Sequence, residues 1–206
     1  MIRNIVTEAM VNGQAYEQLR YLCKEIGPRL SGSANAAKAV DATANMLREA
    51  GADTVYLQPC MVPHWERGEK ETGRVILTGN QIVPLHLSAL GNSVATPQGG
   101  ISAQVVEVQS MEELHRLGEK GIKGKIVFFN LAMNPAYIRT FNAYGESGIG
   151  RRIGPAQASR YGAIGVLVRS LASNPDDYPH TGATQYNDSF PKITAAAIST
   201  NDANSL

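Results

Sequence analysis

The four histidines, His64, His86, His115 and His180, are the first residues to test for chemistry, because imidazole is a usual ligand of catalytic zinc. Such a centre needs three protein ligands and an open position for water. No two of these histidines stand four residues apart, and none sits in a His-x-Asp or His-x-His pair. The sequence therefore predicts no metal ligands and no catalytic residues in this chain. Serine chemistry fares no better. Gly145-Glu146-Ser147-Gly148 lacks the last spacing of a nucleophile elbow and does not directly follow a strand. Ser31 and Ser33 stand where helix capping accounts for them. The two cysteines, Cys23 and Cys60, form no C-x-x-C pair, which excludes a disulfide scaffold and a zinc ribbon. Buried thiols are the expectation for them, with a single bridge as the alternative.

Two segments carry groups suited to holding a ligand. Gly148-Ile149-Gly150-Arg151-Arg152-Ile153-Gly154 is glycine-rich, basic, and precedes a helix start, where backbone N–H groups can hold an anion. Its spacing is neither G-x-G-x-x-G nor a P-loop, so a nucleotide is not expected. A carboxylate or another small anion stays open, against solvated arginines on a plain loop. The second segment is Tyr178-Pro179-His180-Thr181-Gly182, with Tyr186 shortly after. Its donors suit a ligand, or equally serve to pin a long loop to the domain beneath.

These residues need elements to position them. Ala15, Leu19, Leu22 and Ile26 recur at helical spacing, and Gly27-Pro28 ends that helix. A second helix starts near Ser33 or Asn35 and runs to Ala50, with a face of Ala36, Val40, Leu47 and Ala50. A strand is expected over Val55–Gln58, then short strands over Val75–Leu77 and Ile101–Val108. Ser110 and Glu113 make a capping box that opens a helix carrying Leu114 and Leu117. Ile126–Phe129 and Ile164–Val168 read as strands buried on both faces, joined by a helix with Pro155 in its first turn and Gly162 at its end. That unit is expected to be parallel and right-handed. A further strand is expected over Ile193–Ile198. Two long loops remain, Leu131–Gly154 and Arg169–Lys192, and loops of that length tend to be functional. Ser199 with Asp202 is a helix start with about one turn after it, so the chain reads as cut rather than finished.

The composition bounds the function. In 206 residues, 19 Lys and Arg balance 18 Asp and Glu, so the basic face of a nucleic-acid binder is not expected. Apolar residues at 43% and charged residues at 18% suit a folded core rather than a disordered chain. No run approaches the roughly 18–20 apolar residues of a membrane span. The opening MIRNIVTEAM has none of the features of a signal peptide.

Several strings together resemble one family. Ile26-Gly27-Pro28-Arg29-Leu30-Ser31-Gly32-Ser33, then an alanine-rich helix ending Leu47-Arg48-Glu49-Ala50-Gly51-Ala52, is similar to the N-terminal segment of M28-family zinc aminopeptidases and carboxypeptidases. Met61-Val62-Pro63-His64-Trp65-Glu66-Arg67-Gly68 narrows this to the plasma glutamate carboxypeptidase-like branch. Gly162-Ala163-Ile164-Gly165-Val166-Leu167-Val168-Arg169-Ser170, Pro179-His180-Thr181-Gly182 and Pro191-Lys192-Ile193 with Ala195-Ala196-Ala197-Ile198-Ser199 point the same way.

The resemblance implies a mixed α/β (α+β) chain. Residues 1–65 would be two helices and a strand of an incomplete α/β zinc-peptidase domain. Residues 66–197 would be an inserted protease-associated (PA) domain, β-barrel-like with flanking helices, and residues 198–206 the start of the return. The parent would be an exported, periplasmic or extracellular exopeptidase acting on small peptides with two zinc ions. Its metal ligands and general base would lie beyond this chain, which would hold no zinc itself. In related carboxypeptidases a basic residue soon after the strand matching Ile126–Phe129 contacts substrate. Asn130 begins that neighbourhood here, so Arg151 or Arg152 would have to substitute, and Arg151, Arg152, His180 and Tyr186 are the residues expected to face the cleft. Homodimerisation is left open. The rival readings are a non-catalytic PA-type interaction module acting alone and a small anion-binding domain built on Gly148–Gly154.

Overall fold

The computed structural model describes all residues, Met1–Leu206, in two compact units, Met1–Glu66 and Arg67–Leu206. In the first unit α1 spans Ile2–Val11, α2 spans Ala15–Tyr21 and α3 spans Ala34–Glu49. The helix expected from Gln14 to Ile26 forms, but Leu22–Ile26 is a π-helical turn that closes with the Gly27 N–H on the Leu22 carbonyl at 3.0 Å. Ser33 caps α3, accepting from the Ala36 N–H at 3.1 Å. Ser31 does not cap; its hydroxyl donates to the Pro63 carbonyl at 2.9 Å. Helix α1 escaped the sequence reading, and the strand expected over Val55–Gln58 does not form. A lone extended segment has no neighbour to complete its hydrogen bonds, and no strand forms elsewhere in this unit.

The burial of this unit departs from expectation. Ala44 is its one buried residue. Val40 and Leu47, assigned to the packed face of α3, are about half exposed, as are Ile5 and Val6 of α1. Cys23 and Cys60 are free and exposed, so the expectation of buried or bridged thiols is corrected.

The second unit holds the regular sheet. A hairpin pairs β1 (Gly73–Ile76) with β2 (Ile82–Leu85). The main sheet has five strands in the order β3-β7-β6-β5-β4. Strands β4 (Val105–Val108), β5 (Ile126–Phe129), β6 (Gly165–Arg169) and β7 (Thr194–Ile198) run parallel, and β3 (Leu87–Ala89) closes one edge antiparallel to β7. The mixed α/β class is as expected. The sheet is open, however, with β3 and β4 as its edges, and no barrel closes. Residues 101–104 stay irregular because β4 is registered on β5 only from Val105↔Ile126 onward.

Strand β5 is buried on both faces. Val127 and Phe129 join Val108, Val166, Val168, Ala195 and Ala197 in one cluster, which helices α4 (Met111–Ile122) and α7 (Gly154–Arg160) cover through Leu114, Ile122 and Ala158. Phe128 points the other way, into a smaller cluster with Ile198 and Ala203, flanked by Leu85, Leu87 and Leu167. Ser110 caps α4 as the spacing predicts, and the chain breaks at Gly118, whose φ of 54° only glycine adopts readily. The segment expected as a loop before Gly154 is mostly helical, α5 (Thr140–Ser147) and α6 (Ile149–Arg152). Its glycines hide the helical period, while burial of Ala143, Ser147 and Gly150 holds the turns. Helix α8 (Thr200–Ser205) follows β7, capped by Ser199, with Ala203 buried.

Two outcomes follow. The apolar faces of α1 and α3 are expected to make the chain bind an apolar-surface dye and self-associate as concentration rises; a strictly monomeric species in sedimentation, without dye binding, would contradict this. Glu71 is a built-in acid sensor. Burial acts to raise its pKa, but the Ala89 N–H, its own N–H and Arg67 outweigh this and hold it below the ordinary 4.5. A carboxyl depressed in the fold adds stability that is full above its unfolded value and is lost as pH falls through the folded one. Glu71→Gln should therefore lower stability at neutral pH by about 1–2 kcal/mol and flatten the loss below about pH 4.5, read by urea titration across pH.

Candidate functional site

The expected site residues lie along two connected segments of the second unit, the helices α5–α6 and the irregular chain from Ser170 to Lys192. Arg151 is only 8% exposed and meets no carboxylate. Its Nη2 donates to the Tyr144 hydroxyl at 2.8 Å, its Nη1 to the Thr181 carbonyl at 3.4 Å, and its Cζ stands 5.2 Å from the Tyr144 ring centre. Its Nε is buried without a partner. The Tyr144 ring face and a carbonyl dipole thus stand in for a counter-ion. Gly182 closes over this group: a Cβ there would lie 2.6 Å from Arg151 Cζ.

The Tyr144 ring carries the contact outward. His180 meets it edge-on at 5.9 Å and Phe141 at 6.3 Å, so Arg151 and His180 share one aromatic partner. His180 is exposed, while its backbone N–H donates to Ser170 Oγ at 2.7 Å, and that hydroxyl donates to the Ile198 carbonyl at 2.6 Å. Arg152 has an exposed side chain. Its carbonyl accepts from the Gln185 N–H at 2.7 Å and from Thr184 Oγ1 at 3.2 Å. Tyr186 shares no contact with this cluster. Its half-buried hydroxyl donates to the Ile193 carbonyl and accepts from the Val94 N–H at 3.4 Å, and burial raises its pKa.

The geometry therefore sorts the four residues. Arg151 and Tyr186 tie the long irregular segment down, and Arg152 and His180 present side chains to solvent. Tyr144 was missed as a site residue. Its signal was weak, an aromatic seven residues before an arginine across three glycines. A second missed group lies at the carboxyl ends of the parallel strands, where Arg169 Nη1 donates to Asn130 Oδ1 at 3.2 Å and Asn130 Nδ2 donates to Glu107 at 2.7 Å. No three His, Cys, Asp or Glu side chains converge in a way that fits a metal ion. His64 faces Glu66 at 3.2 Å and His86 faces Asp202 at 3.3 Å, each a pair without a third ligand. No helix is long and apolar enough to cross a membrane.

No family model matches the chain. It is 37% identical to carboxypeptidase Q of Homo sapiens over 202 residues, which are 98% of this chain and 40% of that protein. Carboxypeptidase Q of Xenopus laevis is 36% identical over 205 residues, 100% of this chain and 41% of that one. The chain thus spans about 40% of the length of these curated relatives. The crystal structure of a peptidase M28 precursor from Shewanella amazonensis SB2B superposes with a TM-score of 0.86 at 33% identity, covering 98% of this chain and 45% of that one. A zinc aminopeptidase from Bacillus subtilis superposes at 0.57 and 19% identity, over 93% and 40%, a likeness of fold alone.

The sealed arginine is open to a direct check. Tyr144→Phe leaves a buried guanidinium N–H without its acceptor and should cost about 1.5–3 kcal/mol. Gly182→Ala overpacks the same spot and should cost about 1–3 kcal/mol. Each is expected to lower Tm by about 3–10 °C in calorimetry. Unchanged melting of both variants would show that Arg151 is not sealed.

Proposed function

This chain is similar to the carboxypeptidase Q branch of the M28 peptidases along 98% of its length, and on that premise we propose that it is the N-terminal portion of a zinc metallo-exopeptidase that hydrolyses peptide bonds in small peptides. In this reading residues 1–65 belong to the peptidase domain, residues 66–197 form a PA-type insert, and residues 198–206 begin the return. The parent is exported and holds two zinc ions. The residues of this chain do not fit a zinc centre, so its part is to shape the cleft and receive substrate. The observation that carries the reading is the alignment with carboxypeptidase Q, continuous across both units.

The chemistry of the insert follows from its geometry. Arg152 and His180 offer exposed donors to a peptide, and their backbones are fixed by Gln185, Thr184 and Ser170. Arg151 and Tyr186 act as positioning residues that keep the segment from Ser170 to Lys192 against the sheet. Groups held ready in this way lower the entropy cost of orienting a substrate.

In the full-length protein that carries this segment, dipeptide hydrolysis should disappear with a zinc chelator and return with zinc. Arg152→Ala and His180→Ala should each lower kcat/KM by about tenfold, or about 1.4 kcal/mol. Values unchanged in both variants would remove these residues from the cleft. Absence of peptide hydrolysis with zinc supplied would reject the enzyme reading and leave a non-catalytic interaction module.

A further inference from the structure

The segments that lead into β6 and β7 line a cleft of about 620 Å³ at the amino ends of these strands. The strands run parallel, so this is the end of the sheet opposite Asn130 and Arg169. One wall is the irregular chain Val94–Pro97, another is Lys192–Thr194, and Ile101, Ala163 and Ile164 complete the lining. Hydrogen bonds fix these walls before anything binds. The Tyr186 hydroxyl bridges two of them, accepting from the Val94 N–H at 3.4 Å and donating to the Ile193 carbonyl. Ser93 Oγ makes a second link, donating to the Val94 carbonyl at 2.9 Å and accepting from the Ala195 N–H at 2.9 Å. The Ile164 N–H is held by the Lys125 carbonyl at 2.9 Å. Ile101 rests on Gly165, where a Cβ would lie 2.6 Å from its Cδ1.

We propose that this cleft binds an aliphatic carboxylate, with its hydrocarbon chain against the apolar lining and its head on Lys192. Clefts of this size, with mostly apolar walls and a few polar groups, are the usual form of small-molecule sites. The lining selects the class of ligand by what it offers. Val94, Ile101, Ile164 and Ile193 give branched aliphatic surface, and Ile164 remains 37% exposed although it stands directly before a core strand. An alkyl chain laid there removes apolar surface from water. No aromatic ring lines the cleft, so a nucleobase finds nothing to stack on. Lys192 is the one charged residue of the lining, so an anion is attracted and a cation repelled. Its ion pair with Asp188 spans 3.8 Å, and the Asp188 side chain is 98% exposed. Such a surface pair holds the ammonium weakly and leaves it available to a ligand. Thr96 and Thr194 bring hydroxyl donors to the same lining, suited to the oxygens of the head. Because the walls are already set, little ordering of the protein opposes binding.

The site is independent of the peptidase reading, and its test needs no turnover. The full 206-residue chain, labelled at its isoleucine 13C-methyl groups, is titrated with sodium octanoate at neutral pH and constant ionic strength. Sodium acetate serves as the head alone and 1-octanol as the uncharged tail. The expected result is a saturable shift of the Ile101, Ile164 and Ile193 methyls with octanoate, about fivefold weaker with octanol and absent with acetate. Ile101→Val, Ile164→Val and Ile193→Val assign the three signals. Lys192→Gln should bring octanoate down to the affinity of octanol, and Ile164→Glu should abolish both responses. Both positions are exposed, so the fold is expected to tolerate either change. Octanoate that shifts the Ile2 and Ile5 methyls of α1 instead, or shifts every methyl without saturation, overturns the site in favour of adsorption to exposed apolar surface. Cleft methyls that shift on dilution of the ligand-free chain overturn it in favour of a contact between copies. A response to octanoate left unchanged by Lys192→Gln or by Ile164→Glu overturns it as well.

Discussion

The second unit depends on burying three consecutive residues, Val127 to Phe129, with both faces of their strand turned away from water. A strand of this kind needs a hydrogen-bonded neighbour on each edge and apolar cover on each side. Strands β4 and β6 provide the first. Helices α4 and α7 cover Val127 and Phe129, while Phe128 is met by Ile198 of β7 and Ala203 of α8. Phe129 also sets the close approach of α6 and α7, since a Cβ at Gly150 would lie 3.1 Å from its Cβ and one at Gly154 2.8 Å from its ring. The helix that bears Arg151 is therefore placed by the core strand.

The buried charge of Arg151 is handled by partial compensation rather than by an ion pair. Arg151 is stabilised by a tyrosine ring, a hydroxyl and a carbonyl, and the two segments that carry these partners are thereby fixed to each other. Polar side chains do similar work nearby. Ser170 links His180 to Ile198, and Ser93 accepts from the Ala195 N–H at 2.9 Å. The Ser170 bonds restrain a long segment without regular secondary structure and leave His180 at its surface.

Local signals in the sequence carried the regular parts of this fold well. Two continuous apolar runs specified β5 and β6, and Ser110 with Glu113 specified the start of α4. Where the answer depended on a distant partner, sequence was silent. Val55–Gln58 has strand composition but nothing to pair with, and Val40 and Leu47 have helical spacing but nothing to pack on. The site was legible in part for the same reason. Arg151 and His180 stood out by type, but the tyrosine that joins them lies on a helix that glycines disguise. Arg169 reads in sequence as the tail of a strand, and only parallel register sets it beside Asn130.

The short strand β3 has a consequence for how this unit can be carried. The incoming chain is held on it where Arg67 bonds Ser88 and Ala89 and Glu71 takes the Ala89 N–H. The outgoing chain is held on it where Leu87 pairs with Ile198, the Ser199 N–H meets the His86 carbonyl at 2.9 Å, and Asp202 takes the His86 N–H at 2.5 Å. Both crossing points thus fall within four consecutive residues, His86 to Ala89. A body whose two necks lie this close together can be grafted into a surface loop of a host with little disturbance of the host's own path. The same clasp means that a pull applied across the two necks loads β3 first, in shear along one strand, before it reaches the sheet behind it.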